Sequence, residues 1–181
     1  METILQNLRS VDEAIQHCLT KLQILPALIL VYAAIDIVAS LEGDPTEGVQ
    51  KSFTRWVDLY MLPNPKLECT ALEIYSARCG MVHTLTADSN LSRQGKARII
   101  MYAWGNAVAN DLKESTKRLG RTSVIVHVSD LHEAFQSALL KWEDDVKKDA
   151  QRSKRVEANL PASFVNIHPD KIKTFLAGSK S

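Results

Sequence analysis

The chain has 181 residues, of which 45% are apolar and 24% charged, and its net charge is +1. That length is about one domain's worth and can bury a core without a disulfide or a structural metal, and the composition excludes a chain disordered throughout. The near-zero charge demands no nucleic-acid partner by itself, although a local basic patch stays open.

The N-terminus lacks a basic region followed by an apolar one, so no signal peptide is expected. Ile4, Leu5, Leu8, Val11, Ala14, Ile15, Cys18, Leu19 and Leu22 recur in steps of three and four, which predicts an amphipathic first helix. A second helix is expected from Pro26 to Leu41, apolar nearly all round and therefore central. Its uncharged run ends at Asp36, short of a membrane span. A third helix is expected to start with Asp44 as N-cap, Pro45 in the first position and Glu47 in the third. It carries Phe53, Trp56, Val57 and Tyr60 on one side and ends at Pro63 and Pro65.

The fourth helix is expected over Glu68 to His83, with Leu72, Tyr75, Cys79 and Val82 as its apolar stripe. Thr84–Gly95 is polar and rich in turn residues, which predicts a loop. Ala97–Trp104 and Thr122–Val128 are rich in β-branched and aromatic residues and read as strands. A short helix between them is expected to stop at Gly120. Ser129 or Asp130 is expected to cap a long helix with Leu131, Phe135, Ala138, Leu139, Trp142 and Val146 on its apolar face. The charged end of that helix, 147–159, is expected to fray, and the tail 160–181 to add one helical turn or to pack on a neighbour. The fold class is therefore mainly helical, α+β. It comprises a bundle over 1–95, a strand–helix–strand unit with the long helix over 96–158, and a tail over 159–181, all in one domain.

Cys18, Cys69 and Cys79 are odd in number and lack CxxC spacing, which predicts three free thiols in a reducing, cytoplasmic setting. His17, His83, His127, His132 and His168 show no metal-ligand spacing with them, so neither a metal nor another cofactor is expected. The chain has no GxSxG, HExxH or GxGxxG pattern, and Ser92–Arg98 is not a P-loop. Trp56, Trp104 and Trp142 are read as core residues rather than base-stacking platforms, and His127 and His132 as surface or boundary residues.

The local pattern that stands out is YSARCGMVHTLTADS, Tyr75–Ser89, with Arg78 and His83 separated by four residues at a helix end beside a polar loop. A permanent guanidinium cation can hold a phosphate through two parallel hydrogen bonds, and an imidazole exchanges a proton near neutral pH. RNA cleavage needs both groups. Five steps of ~100° set the two side chains about 140° apart on an ideal helix. Convergence is thus expected only where the helix ends or distorts near Gly80, or where a second subunit contributes. Asp36, set in an apolar helix, requires a partner when buried, and Arg78 and Arg55 are the candidates. Arg93, Lys96 and Arg98 follow closely and offer RNA-binding charge.

Arg78 and His83, in their helical setting, resemble the Arg-x(4–6)-His motif of the HEPN superfamily, over roughly residues 1–95. The resemblance implies a helical bundle, a metal-independent ribonuclease of toxin or defence type, and a homodimer in which the motifs of two subunits meet. It implies RNA and a cognate antitoxin or other protein as partners, and no membrane. Cys79 departs from the polar residue that commonly follows the arginine in catalytic members. The alternative is a non-catalytic dimerisation or scaffold module, in which Arg78 pairs with a carboxylate and His83 merely favours the helix dipole.

Overall fold

The computed structural model describes residues 2–44, 46–118 and 123–160, with backbone alone at 109–110 and 117–118. The expected Pro45 start, the Gly120 stop, His168 and the tail beyond Leu160 lie outside the described residues. Among the described residues eight helices and two strands follow in chain order: α1 Glu2–Thr20, α2 Ile24–Glu42, α3 Val49–Trp56, α4 Ala71–Thr84, α5 Asn90–Arg93, β1 Ile99–Ala103, α6 Ala109–Arg118, β2 Ser123–His127, α7 Val128–Lys148 and α8 Ala150–Asn159.

α2 is the axis. Ala27, Leu28, Val31, Tyr32, Ile35 and Val38 are buried along it, and α1, α3, α4, α7 and α8 all pack on it. At 19 residues with mean hydropathy 2.3 it is long and apolar enough to cross a membrane, and half of its apolar stretch is buried inside the fold. Around it Trp56, Trp142, Phe53 and Phe135 are fully enclosed. Each such side chain contributes about 1.5–3 kcal/mol by leaving water.

The β-branched segments pair in parallel, Ile99 opposite Ser123 through Ala103 opposite His127. Parallel neighbours need a crossover, and α6 supplies it. β1 lies against α4, and β2 against α6 and α7, so the small sheet backs the helix that carries Arg78.

Several local expectations are corrected. Leu22 is not on the first helix: it follows the helix with φ 57° and is exposed, the left-handed turn into α2. Asp44 is not the N-cap of α3, which is Gly48. Its carboxylate accepts from the Thr46 amide at 2.8 Å, while α3 begins five residues later after Gly48. Glu47 instead binds Arg55 at 2.6 Å. Beyond Trp56 the helix widens to a π-helical turn, Val57–Met61, which keeps Tyr60 buried.

The residues of α4 that face the core are Ile74, Ala77 and Met81, whereas the expected stripe of Leu72, Tyr75, Cys79 and Val82 lies half-buried on its flank. The 84–95 stretch holds α5, capped reciprocally by Ser89 and Ser92. α7 is capped by His127, whose ring accepts the Ser129 amide, and not by Ser129 or Asp130.

The charged end of the long helix does not fray. Asp149 breaks the helix and caps α8, which turns back so that Val156 is fully buried. Arg152 binds Glu42 and Tyr60, and Asn159 donates to the carbonyls of Leu41 at 3.0 Å and Gly43 at 2.8 Å, satisfying the end of α2. Trp104 is 49% exposed, so of the three tryptophans only Trp56 and Trp142 are core. His132 is buried at 3% and bonds Asp12 at 2.7 Å, tying α7 to α1 rather than sitting at the surface.

Candidate functional site

Thr70 and Glu73 close a capping box that fixes where α4 starts. From there the helix runs unbroken through Gly80 to Thr84. The helix does not distort at Gly80 but ends one residue beyond His83, and Arg78 and His83 meet within one chain. The long Arg78 side chain spans the angular gap, and its Nη1 lies 2.8 Å from His83 Nε2. A guanidinium only donates, so Nε2 is the acceptor in this contact.

Asp36 supplies the other half of the arrangement. Its Oδ2 accepts from Arg78 Nε at 2.7 Å and also from Nη2. Of the two expected partners it takes Arg78, since Arg55 is held by Glu47. Arg78 is half-buried; burial works against its charge, and Asp36 more than offsets this and raises its pKa further. The Nε–Nη2 edge faces inward to α2, which leaves Nη1 for His83 and the outside. Asp36 Oδ1 is buried with no hydrogen-bond partner among the described residues. Cys79 and Tyr75 stand beside the pair, and Tyr75 is raised first by burial and then by Cys79.

His83 opens onto a cavity of about 600 Å³ whose walls include Tyr75, Cys79, Leu91, Asp88, Arg93 and Gln50. Gly80 makes the cavity possible. A Cβ there would lie 2.5 Å from the Thr86 carbonyl and 2.7 Å from that of Asp88, so only glycine lets the loop fold back on the helix. Leu85 turns the chain at φ 53°, and the Thr86 amide reaches the Gly80 carbonyl at 3.2 Å. The buried hydroxyls of Ser76 and Ser89 bond at 2.6 Å and pin α5 against α4.

The expected basic group is not brought together whole. Arg93 lines the cavity, its guanidinium 2.7 Å from the Asn90 side-chain oxygen. Lys96 is exposed. Arg98 points elsewhere, bound to both oxygens of Glu73 and facing a separate small hollow with Lys66 and Lys113. Burial opposes the charge of Glu73, but Arg98 and Thr70 outweigh it and hold the carboxyl below the ordinary glutamate range.

Among the described residues no group of three or more His, Cys, Asp or Glu side chains is placed to hold a metal ion. The three cysteines are free, and burial, reinforced by Glu73, pushes the Cys69 thiol up to about 12. Gln50, Leu91 and Asp88 were not singled out in the sequence. They come from a helix start, a four-residue helix and a loop, and no periodicity marks them. No protein-family model matches the chain, and neither a curated protein nor a solved structure matches it.

Proposed function

We propose that the chain is a metal-independent endoribonuclease of the HEPN type, a toxin or defence component acting through Arg78 and His83. One observation carries this reading: Asp36 holds Arg78 so that Nη1 meets His83 Nε2, and His83 in turn lines an open cavity. An entering phosphodiester anion competes for Nη1 and frees the Nε2 lone pair. His83 then takes the proton of the 2′-OH as its oxygen attacks phosphorus, with Arg78 donating to a non-bridging oxygen. The P–O5′ bond breaks, and the 5′-oxygen takes a proton from water.

A homodimer belongs to the reading. Pro26, Leu30, Ala33 and Ile37 form an incompletely buried apolar strip on α2, with Asp36 at its edge. A second copy packed there would face the Arg78–His83 pair.

A second reading, a module that dimerises or holds a protein partner without cleavage, is favoured by the internal tie itself. The Arg78 side chain is only 14% exposed and already bonded to Asp36. Incubating RNA with the protein in excess chelator separates the two. The ribonuclease reading expects cleavage that falls by about a hundredfold or more in Arg78→Ala and His83→Ala. Cleavage that is absent, or unchanged in both variants, supports the second reading.

A further inference from the structure

We infer that Tyr75 is a further catalytic residue of the proposed cleavage: its hydroxyl donates to one non-bridging oxygen of the phosphate while Arg78 donates to the other. The inference rests on the ribonuclease reading and adds a second donor to its anion contacts.

A phosphodiester under attack gains charge on both non-bridging oxygens, and a donor already in place at each lowers the barrier. Arg78 can serve one of them. Its Nε and Nη2 hold Asp36, which leaves Nη1 for the phosphate. His83 is engaged with the 2′-OH in the proposed step, and Arg98 is bound to Glu73 away from the cavity. A donor for the other oxygen has to come from elsewhere on the cavity wall.

Tyr75 is placed for this. It precedes Arg78 by three residues and Cys79 by four, spacings that make them neighbours on the surface of α4. It lines the cavity together with Cys79 and His83. The hydroxyl stands beside the Cys79 thiol, and the same thiol stands beside the Arg78 guanidinium. Flanking one sulfur keeps the two donors within the span of a single phosphate. A thiol is a weak acceptor, and among the described residues no nitrogen or oxygen holds the hydroxyl, so a phosphate oxygen displaces little. Phe53 packs edge-on against the ring at 5.3 Å and fixes where the hydroxyl stands. Burial, and after it Cys79, raises the pKa of the hydroxyl, so it keeps its proton and stays a donor.

The test is cleavage, in chelator, of RNA carrying sulfur in place of either non-bridging oxygen of the scissile phosphate, compared between the wild type and Tyr75→Phe. The variant keeps the ring and should melt as the wild type does. Its kcat on the oxygen substrate should fall by about a hundredfold, the scale of one lost oxyanion donor. Wild type should be slowed by sulfur at either position, because sulfur accepts hydrogen bonds poorly. Tyr75→Phe should lose the penalty at one position and keep it at the other. Three results overturn the inference: a wild type indifferent to sulfur at one position, a variant with the wild-type rate, and a variant slowed with both penalties intact. The first is read on the wild type alone and holds even where the variant fails to fold. His83-dependent cleavage at the full rate in Tyr75→Phe sinks the role of Tyr75 and leaves the ribonuclease reading standing. A wild type that cleaves nothing removes both.

Discussion

Arg78 offers donors on two sides, and Asp36 engages only the inner one. On the proposed ribonuclease reading, Asp36 is a positioning residue. Asp36→Asn should lower cleavage by about tenfold or more through a misaimed guanidinium while the protein still folds. Circular dichroism melting beside the cleavage assay checks this, and loss of folding instead would make the pair purely structural. Lysine at 78 has one compact ammonium and cannot bind Asp36 through a fork while reaching His83. Arg78→Lys should therefore be as inactive as Arg78→Ala.

That Asp36 needs a partner was legible in the sequence, because a carboxylate in an apolar helix must be paired, but the choice of Arg78 over Arg55 came from the fold. The Arg98–Glu73 pair was not. Its members are 25 residues apart, and nothing in their spacing distinguishes a paired arginine from a phosphate-binding one.

At the scale of elements, the site depends on how closely the 84–89 loop approaches α4. Gly80→Ala places a methyl against two backbone carbonyls, so the loop must shift. The expected cost is about 1–3 kcal/mol by overpacking, with cleavage lost in the same variant. Denaturant titration and the cleavage assay measure the two effects. An unperturbed melt with full activity would mean that the loop is not held there.

α8 depends on Arg152 and Asn159. Arg152→Ala leaves Glu42 partly buried without its cation and should cost about 2–4 kcal/mol in denaturant unfolding. Periodicity found the long helices because each buries a broad face. It missed α5, whose four residues bury none, and the π-helical turn, which keeps Val57, Tyr60 and Met61 buried just as a continued α-helix would. The run 147–159 was misread because charge count hides a single arginine turned inward and one valine, Val156, placed in the core.

Across the whole molecule, one hydrophobic cluster runs from Leu5 on α1 to Val156 on α8 and takes in both strands. The fold class follows from composition and patterning, which record how much of each face is apolar. The sequence does not record which faces meet, and so it could not say that the strands pair in parallel or that the sheet backs α4.

Acid should weaken this assembly through Glu73. A carboxyl held below its ordinary range stabilises the fold above that range, and the contribution is lost as pH falls through the depressed folded value. Denaturation midpoints should drop on acidification below the ordinary glutamate range, and Glu73→Gln should flatten that limb. An unchanged limb would mean that Arg98 contributes nothing there.

The most direct test of the central claim is the chemistry of the RNA ends left after incubation in chelator. Attack by the 2′-OH under His83 predicts a 2′,3′-cyclic phosphate opposite a 5′-hydroxyl, and no cut where the scissile nucleotide carries 2′-fluorine. A 3′-hydroxyl opposite a 5′-phosphate, or cleavage that persists at the 2′-fluoro position, would show water as the nucleophile and contradict the role assigned to the Arg78–His83 pair.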